Sequence, residues 1–389
     1  MSPIQRTVYL DNAATSFPKP RAVLDEMMDT YSRLGVSPGR GSHDLAAECE
    51  KYVYEVRRRV NDFFRGDRPE RVVFCHNSTD ALNTAILGLA SPGSHVVSSR
   101  LEHNSVLRPL HHLRDRGLIS FDLVPFDGRG FIDPDDVAKA FKPATSFVVL
   151  NHVSNVLGTI QPVSEVGRIC AERGVPFILD ASQSAGVVPI DMRAMQVSAV
   201  AFTGHKSLMG PTGIGGLVLR EGVDPKPLRF GGTGFESWSP VHPEGYPYRL
   251  EAGTLNVLGI IGLNAGLRYV TQRGLGAIHE HEMSLLHALR DRLTSLGAVV
   301  LYCKESLRNH VALLTCNIRD LDPDDFAAIL DGDFHVATRS GLHCAPLVHE
   351  DLGTSPRGGV RFSFGPLNGM DDASAAADAV AAIAGLRSQ

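Results

Sequence analysis

Lys206 is the residue whose setting most clearly indicates chemistry. It follows an apolar, strand-like segment at residues 197–203 and precedes a glycine-rich turn at residues 210–213. An amine in that position is partly removed from water, which lowers its pKa and makes it a competent nucleophile for forming an imine. The glycines follow the lysine, and neither GxxxxGKS nor GxxxxGKT occurs, so the segment is not a P-loop. A lysine that merely occupies a turn is the alternative.

Four other strand-like segments also end in polar residues, and parallel α/β sheets bind ligands at the carboxyl ends of their strands. Together these residues match the demands of pyridoxal phosphate, which needs a carboxylate beside its ring nitrogen and several donors for its phosphate. Asp180 offers the carboxylate, and Ser78 and Thr79 open a helix whose N-terminus suits a phosphate. Thr203 and His205 are candidates for further phosphate contacts. Asn155 and Gln183 are candidates for contacts with the 3′-oxygen, and His103 is a candidate for covering the ring face. Each of them alone is better explained as a helix cap, a turn amide or an ordinary histidine.

Two further residues stand in unusual places. Arg361 lies in an apolar, strand-like segment, where an unpaired guanidinium is costly and a carboxylate partner would offset that cost. The alternative for Arg361 is a structural pair with an aspartate. Cys344 lies in a loop bounded by a glycine and a proline, and the neighbouring Arg339 and His343 would favour its thiolate form.

The other five cysteines are scattered through apolar segments. They form no CxxC pair, so neither a zinc site nor a disulfide framework is predicted. We expect these thiols to be buried as small hydrophobic side chains. They are Cys49, Cys75, Cys170, Cys303 and Cys316.

Bulk composition narrows the class of protein. The 389 residues are enough for two domains at roughly 100–200 residues each. A formal net charge of −5 and the lack of a basic run argue against nucleic acid and anionic lipid as partners. No signal peptide is evident, and the longest apolar runs are strand-sized, far below the ~18 residues of a membrane span. A soluble, cytoplasmic protein is therefore expected.

The elements that would position these residues alternate along the first two-thirds of the chain. Residues 44–64 carry apolar side chains at helical spacing, and short apolar strands alternate with helices after them. This rhythm predicts βα units and a mostly parallel sheet covered on both sides. Residues 221–249 are rich in glycine and proline, contain Trp238, and are expected to form a functional or interfacial loop. The predicted elements after that loop are helices at residues 254–272 and 279–296 and a smaller α+β domain.

Five segments, in family order, resemble those of the class V aminotransferase superfamily and, more narrowly, its cysteine desulfurases. They are residues 8–15 (VYLDNAAT), 102–103 (EH), 155–158 (NVLG), 180–183 (DASQ) and 204–206 (GHK). The similarity runs from Tyr9 to Asn368. One departure is Leu367, because the family often has an aromatic residue just before the final asparagine.

The resemblance implies fold type I of the pyridoxal-phosphate-dependent transferases, an α/β fold. Residues 16–255 would form a large cofactor-binding domain with a mostly parallel, seven-stranded sheet. Residues 256–389, together with residues 1–15, would form the smaller α+β domain.

The resemblance also assigns roles to individual residues. It implies that Lys206 holds pyridoxal 5′-phosphate as a Schiff base, that Asp180 pairs with the ring nitrogen, and that His103 stacks on the ring. Asn155 and Gln183 would contact the 3′-oxygen. The implied phosphate ligands are Ser78, Thr79, Thr203, His205 and, across the interface of a homodimer, Thr254 of the partner subunit. The implied substrate-binding residues are Arg361, which would hold the α-carboxylate, Asn155, and His43 at the cavity mouth.

The implied activity is that of a cysteine desulfurase, which removes sulfur from L-cysteine and leaves L-alanine and a persulfide on Cys344. Lys206 would remove the α-proton, and His103 would relay protons. The short spacing between Cys344 and Arg361 resembles the compact-loop (type II) group of desulfurases and selenocysteine lyases. A sulfur-acceptor protein, as used in iron–sulfur cluster assembly, is an implied partner.

Other activities stay open at this point. A selenocysteine lyase or another C–S lyase would use the same scaffold, whereas a transaminase would leave Cys344 without a task. The alternatives from other classes are a non-catalytic, cofactor-binding adaptor in sulfur traffic and a nucleotide-binding α/β protein.

Overall fold

A computed structural model describes residues 6–39, 41–302 and 307–386. Its strands, in chain order, are β1 (Val8–Tyr9), β2 (Val72–Cys75), β3 (Ser94–Ser99), β4 (Ile119–Val124), β5 (Thr145–Asn151), β6 (Phe177–Asp180), β7 (Ala199–Thr203), β8 (Gly215–Leu219), β9 (Val299–Leu301), β10 (Leu313–Ile318), β11 (Val336–Ala337) and β12 (Val360–Ser363). Its α-helices are α1 (Arg21–Leu34), α2 (Asp44–Phe64), α3 (Ser78–Leu89), α4 (Asn104–Asp115), α5 (Pro134–Ala140), α6 (Val163–Glu172), α7 (Val257–Arg273), α8 (Leu275–Thr294), α9 (Pro323–Phe334), α10 (Pro346–Asp351) and α11 (Met370–Leu386). None of the helices within these described ranges is long and apolar enough to cross a membrane.

The main sheet has seven strands in the order β2-β8-β7-β6-β5-β3-β4. The pairs from β4 across to β7 are parallel, and β8 runs antiparallel to both β7 and β2. Strands β5, β6 and β7 are almost entirely buried, because helices cover both faces of the sheet. The predicted mostly parallel, seven-stranded sheet is therefore confirmed.

The carboxyl ends of three central strands meet at one edge of this sheet. Asn151 at the end of β5 is in register with Asp180 at the end of β6, and Thr203 ends the adjoining β7. The polar residues that follow these strands are consequently brought together, as expected for a parallel sheet.

The helix boundaries differ most from prediction where two helices meet. The helix predicted at residues 254–272 begins later, at Val257, because Asn256 caps it by accepting a hydrogen bond from the backbone N–H of Gly259. The next helix begins at Leu275 rather than residue 279. Gly274 joins the two helices with a φ of +83°, so the chain turns there without a loop.

Two sets of buried side chains make up most of the core. One spans the main sheet and its helices, and it includes α7 residues from Val257 to Leu267. The other joins α8, α11 and a second, antiparallel sheet of order β12-β10-β9 to Leu10 near the N-terminus. The division at residue 255 stays a prediction, and the packing of α7 favours a boundary after that helix.

The cysteines and the long loop follow the sequence pattern closely. Cys49, Cys75, Cys170 and Cys316 are buried, while Cys303 lies outside the described residues. Residues 221–249, all of which the structure describes, form no helix or strand. Trp238 in this loop is 85% exposed.

Candidate active site

A cavity of about 280 Å³ lies at the carboxyl ends of β5, β6 and β7. Its size is close to the lower end of the range for small-molecule sites, roughly 300–1,000 Å³. The predicted site residues that line it are Ser78, Thr79, His103, Asn155, Asp180, Gln183, Thr203, His205, Lys206 and Arg361. Within one chain, the structure therefore brings together ten residues that are up to 283 positions apart in the sequence.

Lys206 lines this cavity and is partly exposed to it. Burial lowers the pKa of its amine to about 8, while the charge of Asp180 acts in the opposite direction. The turn that carries the lysine is tied to the N-terminal segment, because Ser16 Oγ donates to the Lys206 carbonyl at 2.9 Å. Lys19 Nζ donates to the His205 carbonyl at 2.6 Å, and burial lowers its pKa to about 8 as well.

Asp180 is buried and held in place by Ser182. The backbone N–H of Ser182 donates to Asp180 Oδ1 at 2.9 Å, and the Ser182 hydroxyl donates to the same oxygen. The Ser182 hydroxyl also lies 2.7 Å from Ser78 Oγ. Sequence reasoning missed Ser182, although its place two residues after a strand-end aspartate is typical of an Asx turn.

Several polar atoms in the cavity are buried and have no hydrogen-bond partner among the described residues. They are Thr203 Oγ1, His205 Nδ1 and Asn155 Oδ1. An unpartnered buried polar atom costs free energy, so a cluster of such atoms indicates a polar ligand. Burial lowers the pKa of His205 to about 4, which keeps the ring neutral near pH 7 and leaves it one N–H to donate. Asn155 already uses Nδ2 to donate to the His343 carbonyl at 2.7 Å.

His103 caps helix α4 at the cavity rim. Its Nδ1 accepts from the backbone N–H of Ser105 at 3.0 Å. Burial lowers the pKa of His103 to about 4, so the ring is neutral. Behind it, burial raises the pKa of Glu102 to about 8, and this carboxyl accepts from the Ser99 hydroxyl and from the Asn151 N–H. Glu102 thus joins the ends of β3 and β5 without a charge near pH 7.

Arg361 is 1% exposed and has two oxygen partners. Its Nη2 donates to Asp11 Oδ1 at 2.9 Å, and its Nη1 donates to the Asn155 carbonyl at 3.0 Å. The aspartate pair that the sequence left open is therefore present. Nε of Arg361 is buried and finds no acceptor in the described part of the chain, so one edge of the guanidinium retains a donor.

Cys344 is exposed and lies just outside the cavity. His343 and Cys344 both adopt left-handed backbone angles, with φ values of +50° and +58°. The loop is held because the backbone N–H of Asn104 donates to the Cys344 carbonyl at 2.7 Å, and Arg339 Nη2 approaches Sγ at 4.0 Å. Burial lowers the pKa of His343 to about 2, so this histidine is neutral near pH 7 and any support for the thiolate form through positive charge comes from Arg339.

Two predicted residues do not reach the cavity within one chain. His43 is exposed and caps helix α2, where Nδ1 accepts from the Ala46 N–H at 3.2 Å. Thr254 lines a different surface cavity, next to Glu251 and Tyr248. A substrate-binding role for His43 is thus not supported by its position in a single chain.

Comparison with known proteins agrees with this arrangement. Residues 8–375 match the model of the family described as "Aminotransferase class-V", so the chain belongs to that family. Its similar relatives within the family are cysteine desulfurases. A probable cysteine desulfurase of Methanothermobacter thermautotrophicus is 34% identical over 388 residues, which cover 97% of this chain and 95% of the relative. The cysteine desulfurase of Escherichia coli O8 is 31% identical over 346 residues, which cover 87% and 84%.

A solved structure supports the same conclusion. The apo structure of a cysteine desulfurase from Thermococcus onnurineus NA1 superposes with a TM-score of 0.90 at 35% identity. It covers 97% of this chain and 95% of the other. Fold type I is thus supported by the sheet topology and by this neighbour together.

Proposed function

We propose that this protein is a pyridoxal-phosphate-dependent cysteine desulfurase that converts L-cysteine to L-alanine and keeps the sulfur as a persulfide on Cys344. The observation that carries the proposal is that an amine inside the cavity, Lys206, and an exposed thiol outside it, Cys344, lie on either side of the same histidine, His103. A transaminase would need the amine but not the thiol. The names of the relatives point to the same reaction.

The residues of the cavity fit pyridoxal phosphate. Thr203 and His205 carry buried polar atoms without partners in the described chain, and Ser78 opens helix α3, so donors for a phosphate are present. Asp180 would hold the ring nitrogen, and Lys206 would hold the aldehyde carbon. When bound, the cofactor supplies an electron sink for the charge left on Cα after proton removal.

The substrate carboxylate would bind to Arg361. The Nε edge of this guanidinium has a free donor, and a carboxylate makes its strongest contact with two donors of one guanidinium edge. Asp11 already occupies one Nη2 donor and holds the group in position. Because Arg361 is fully buried, an anion at this edge gains more than it would in water.

Different residues would accept the α-proton and the sulfur of the substrate. The Lys206 amine, with a pKa lowered to about 8, is poised to accept the α-proton near neutral pH. The Cys344 sulfur attacks the sulfur of the substrate, an S–S bond forms, and the substrate C–S bond breaks with its electron pair left on carbon. Protonation of that carbon and the return of a proton to Cα complete alanine. His103, which lies between the two sites, would relay a proton in this exchange.

A homodimer is part of the proposal. Thr254 is exposed and outside the cavity of its own chain, as a residue that serves a second copy would be. The nearby loop also exposes Trp238 and Phe230, large apolar side chains that a partner subunit would cover. Light scattering of the purified protein should give twice the mass of one chain, and a monomer would contradict this part.

The decisive experiment compares the wild type with Cys344→Ala. Holoenzyme is incubated with L-cysteine and a reductant, and alanine and sulfide are both assayed. Wild type should form them in equal amounts, and Cys344→Ala should form neither. A variant that still releases sulfide, with pyruvate instead of alanine, would make the protein a simple C–S lyase. Replacing L-cysteine by L-selenocysteine tests the selenium alternative, because a selenocysteine lyase would turn over only the selenium substrate.

A further inference from the structure

A second concave surface begins where the main cavity ends, and we call it the exit groove. It is a shallow groove of about 430 Å³ along α3 and α4, with Cys344 at one end. Thr79, His103 and Ser105 line both the groove and the cavity, so they form the wall between them. Lys206 lines the cavity, and Cys344 lines the groove. The thiol that would carry the sulfur lies beside Asn104, next to the wall that the two share, and is exposed to the groove.

The charge of the exit groove differs from that of the whole chain. Arg108 and His112 project from α4 into it, and Arg339 reaches the Cys344 sulfur at its end. No aspartate or glutamate is among its lining residues in the described ranges. Arg108 is exposed and has no ion-pair partner within those ranges. The chain as a whole carries a formal charge of −5, so this positive patch is local.

The groove is longer than a small thiol. Asn104 contacts the Cys344 carbonyl, and Arg108 and His112 follow at four and eight positions along α4. At ~1.5 Å per helical residue, the lined distance is roughly 12 Å. An extended peptide spans about 3.3 Å per residue, so three or four residues of an extended segment would fill it. The apolar side of such a segment would contact Leu87 of α3 and Pro109 of α4.

We propose that the exit groove docks an acidic, thiol-bearing segment of a sulfur-acceptor protein. The inference rests on the proposed function, since it requires a persulfide on Cys344. The acceptor thiolate attacks the outer sulfur of that persulfide, and a new S–S bond forms on the acceptor. The S–S bond to Cys344 breaks, and its electron pair returns to Cys344 as thiolate. The acceptor leaves as a persulfide, so no further oxidant or reductant takes part.

The test uses three tripeptides with a central cysteine, blocked at both ends, whose flanking residues are both aspartate, both serine or both lysine. Holoenzyme is first loaded with one equivalent of L-cysteine, and alanine is measured in that turnover. Each peptide is then added, and the rate at which the Cys344 persulfide disappears is followed by mass spectrometry. Each rate is divided by that peptide's rate with a small disulfide, which corrects for the reactivity of its thiol.

The aspartate peptide should clear the persulfide about ten times faster than the lysine peptide at low salt, with the serine peptide between them, because opposite charges attract over these distances. Arg108→Glu should abolish or reverse that order of rates. In wild type, 0.5 M salt should reduce the differences among the three rates. Arg116→Glu, the same change of charge at the far end of α4 and outside the groove, should keep the wild-type order.

The outcomes separate the two proposals. If the loading step yields no alanine, the proposed function fails before the groove is tested. If alanine forms but the three peptides clear the persulfide at equal corrected rates in wild type, the acidic-acceptor inference is overturned. It is also overturned if Arg108→Glu and Arg116→Glu change the order equally, since the effect would then come from net charge.

Discussion

The cavity around Lys206 and the exit groove that starts at Cys344 are built in opposite ways. The cavity is buried, and its histidines are neutral because burial lowers the pKa of each, to about 4 for His103 and for His205. The groove is open to solvent, and Arg108 in its lining has no ion-pair partner in the part of the chain that the structure describes. Under the proposed function, this difference would separate the carbon chemistry, which gains from a low dielectric, from the delivery of sulfur to an acceptor at the open groove.

The largest expected effect comes from replacing Lys206, in the cavity. Lys206→Ala removes the amine that would hold the cofactor carbon and take the α-proton, so alanine formation should fall by at least ~10³-fold. The measurement is the initial rate of alanine formation with saturating L-cysteine, together with the thermal melting temperature as a control for folding. A variant that keeps a tenth of the wild-type rate would show that the buried side does not depend on this amine.

Arg361→Lys should have the next largest effect on activity, and it tests whether the cavity binds the substrate carboxylate through this side chain. Lysine keeps the charge but cannot present two donors from one planar edge, so kcat/KM for L-cysteine should fall about 10²-fold, mainly through KM. The matched substitution Asp11→Asn removes the ion pair that positions the guanidinium and should cost less. An unchanged KM in Arg361→Lys would mean that the carboxylate binds elsewhere.

The neutrality of the buried side has a consequence for stability against pH. Burial raises the pKa of Glu102 to about 8 from an unfolded value near 4.5. The folded chain therefore holds a proton that the unfolded chain has lost, so this contribution to stability is complete below the unfolded pKa and is lost as pH rises through about 8. The free energy of unfolding of the wild type should therefore fall between pH 6.5 and pH 8. In Glu102→Gln this fall should be smaller by about 1–2 kcal/mol, because glutamine does not titrate.

Urea unfolding at the two pH values measures this difference. Glutamine keeps the oxygen that accepts from the Ser99 hydroxyl and the Asn151 N–H, so the fold is preserved. Burial also raises the pKa of Glu282 to about 8, so Glu282→Gln should lessen the fall by a similar amount at a site away from β3 and β5. Parallel pH curves for wild type and Glu102→Gln would contradict a protonated Glu102.

His43 gives the smallest effect and belongs to neither region. As the cap of α2, it should cost about 1 kcal/mol of stability when changed to alanine and far less when changed to asparagine, which also caps helices. Chemical denaturation measures both, and kcat/KM for alanine formation should stay within about twofold of wild type. A large loss of kcat/KM in both variants would instead restore the substrate-binding role, with His43 acting across a subunit interface.

Much of the cavity was predictable because it depends on local signals. Asp180, Thr203 and Lys206 each follow a short apolar strand, and parallel strands bring their ends together whatever the details of packing. The contact between Arg361 and Asp11 was not predictable, because it joins residues 350 positions apart and nothing in either segment specifies the other. The position of Cys344 depends on the hydrogen bond between its carbonyl and Asn104, which is also a long-range contact.

The two consecutive left-handed residues at His343 and Cys344 determine what kind of carrier this thiol can be. The loop is pinned from both sides, by Asn155 on the carbonyl of His343 and by Asn104 on the carbonyl of Cys344. Under the proposed function, a sulfur atom on Cys344 would be held by this hydrogen-bonded loop next to the exit groove. If a persulfide forms on Cys344, its transfer should therefore be second order, with a rate that rises with the concentration of the acceptor.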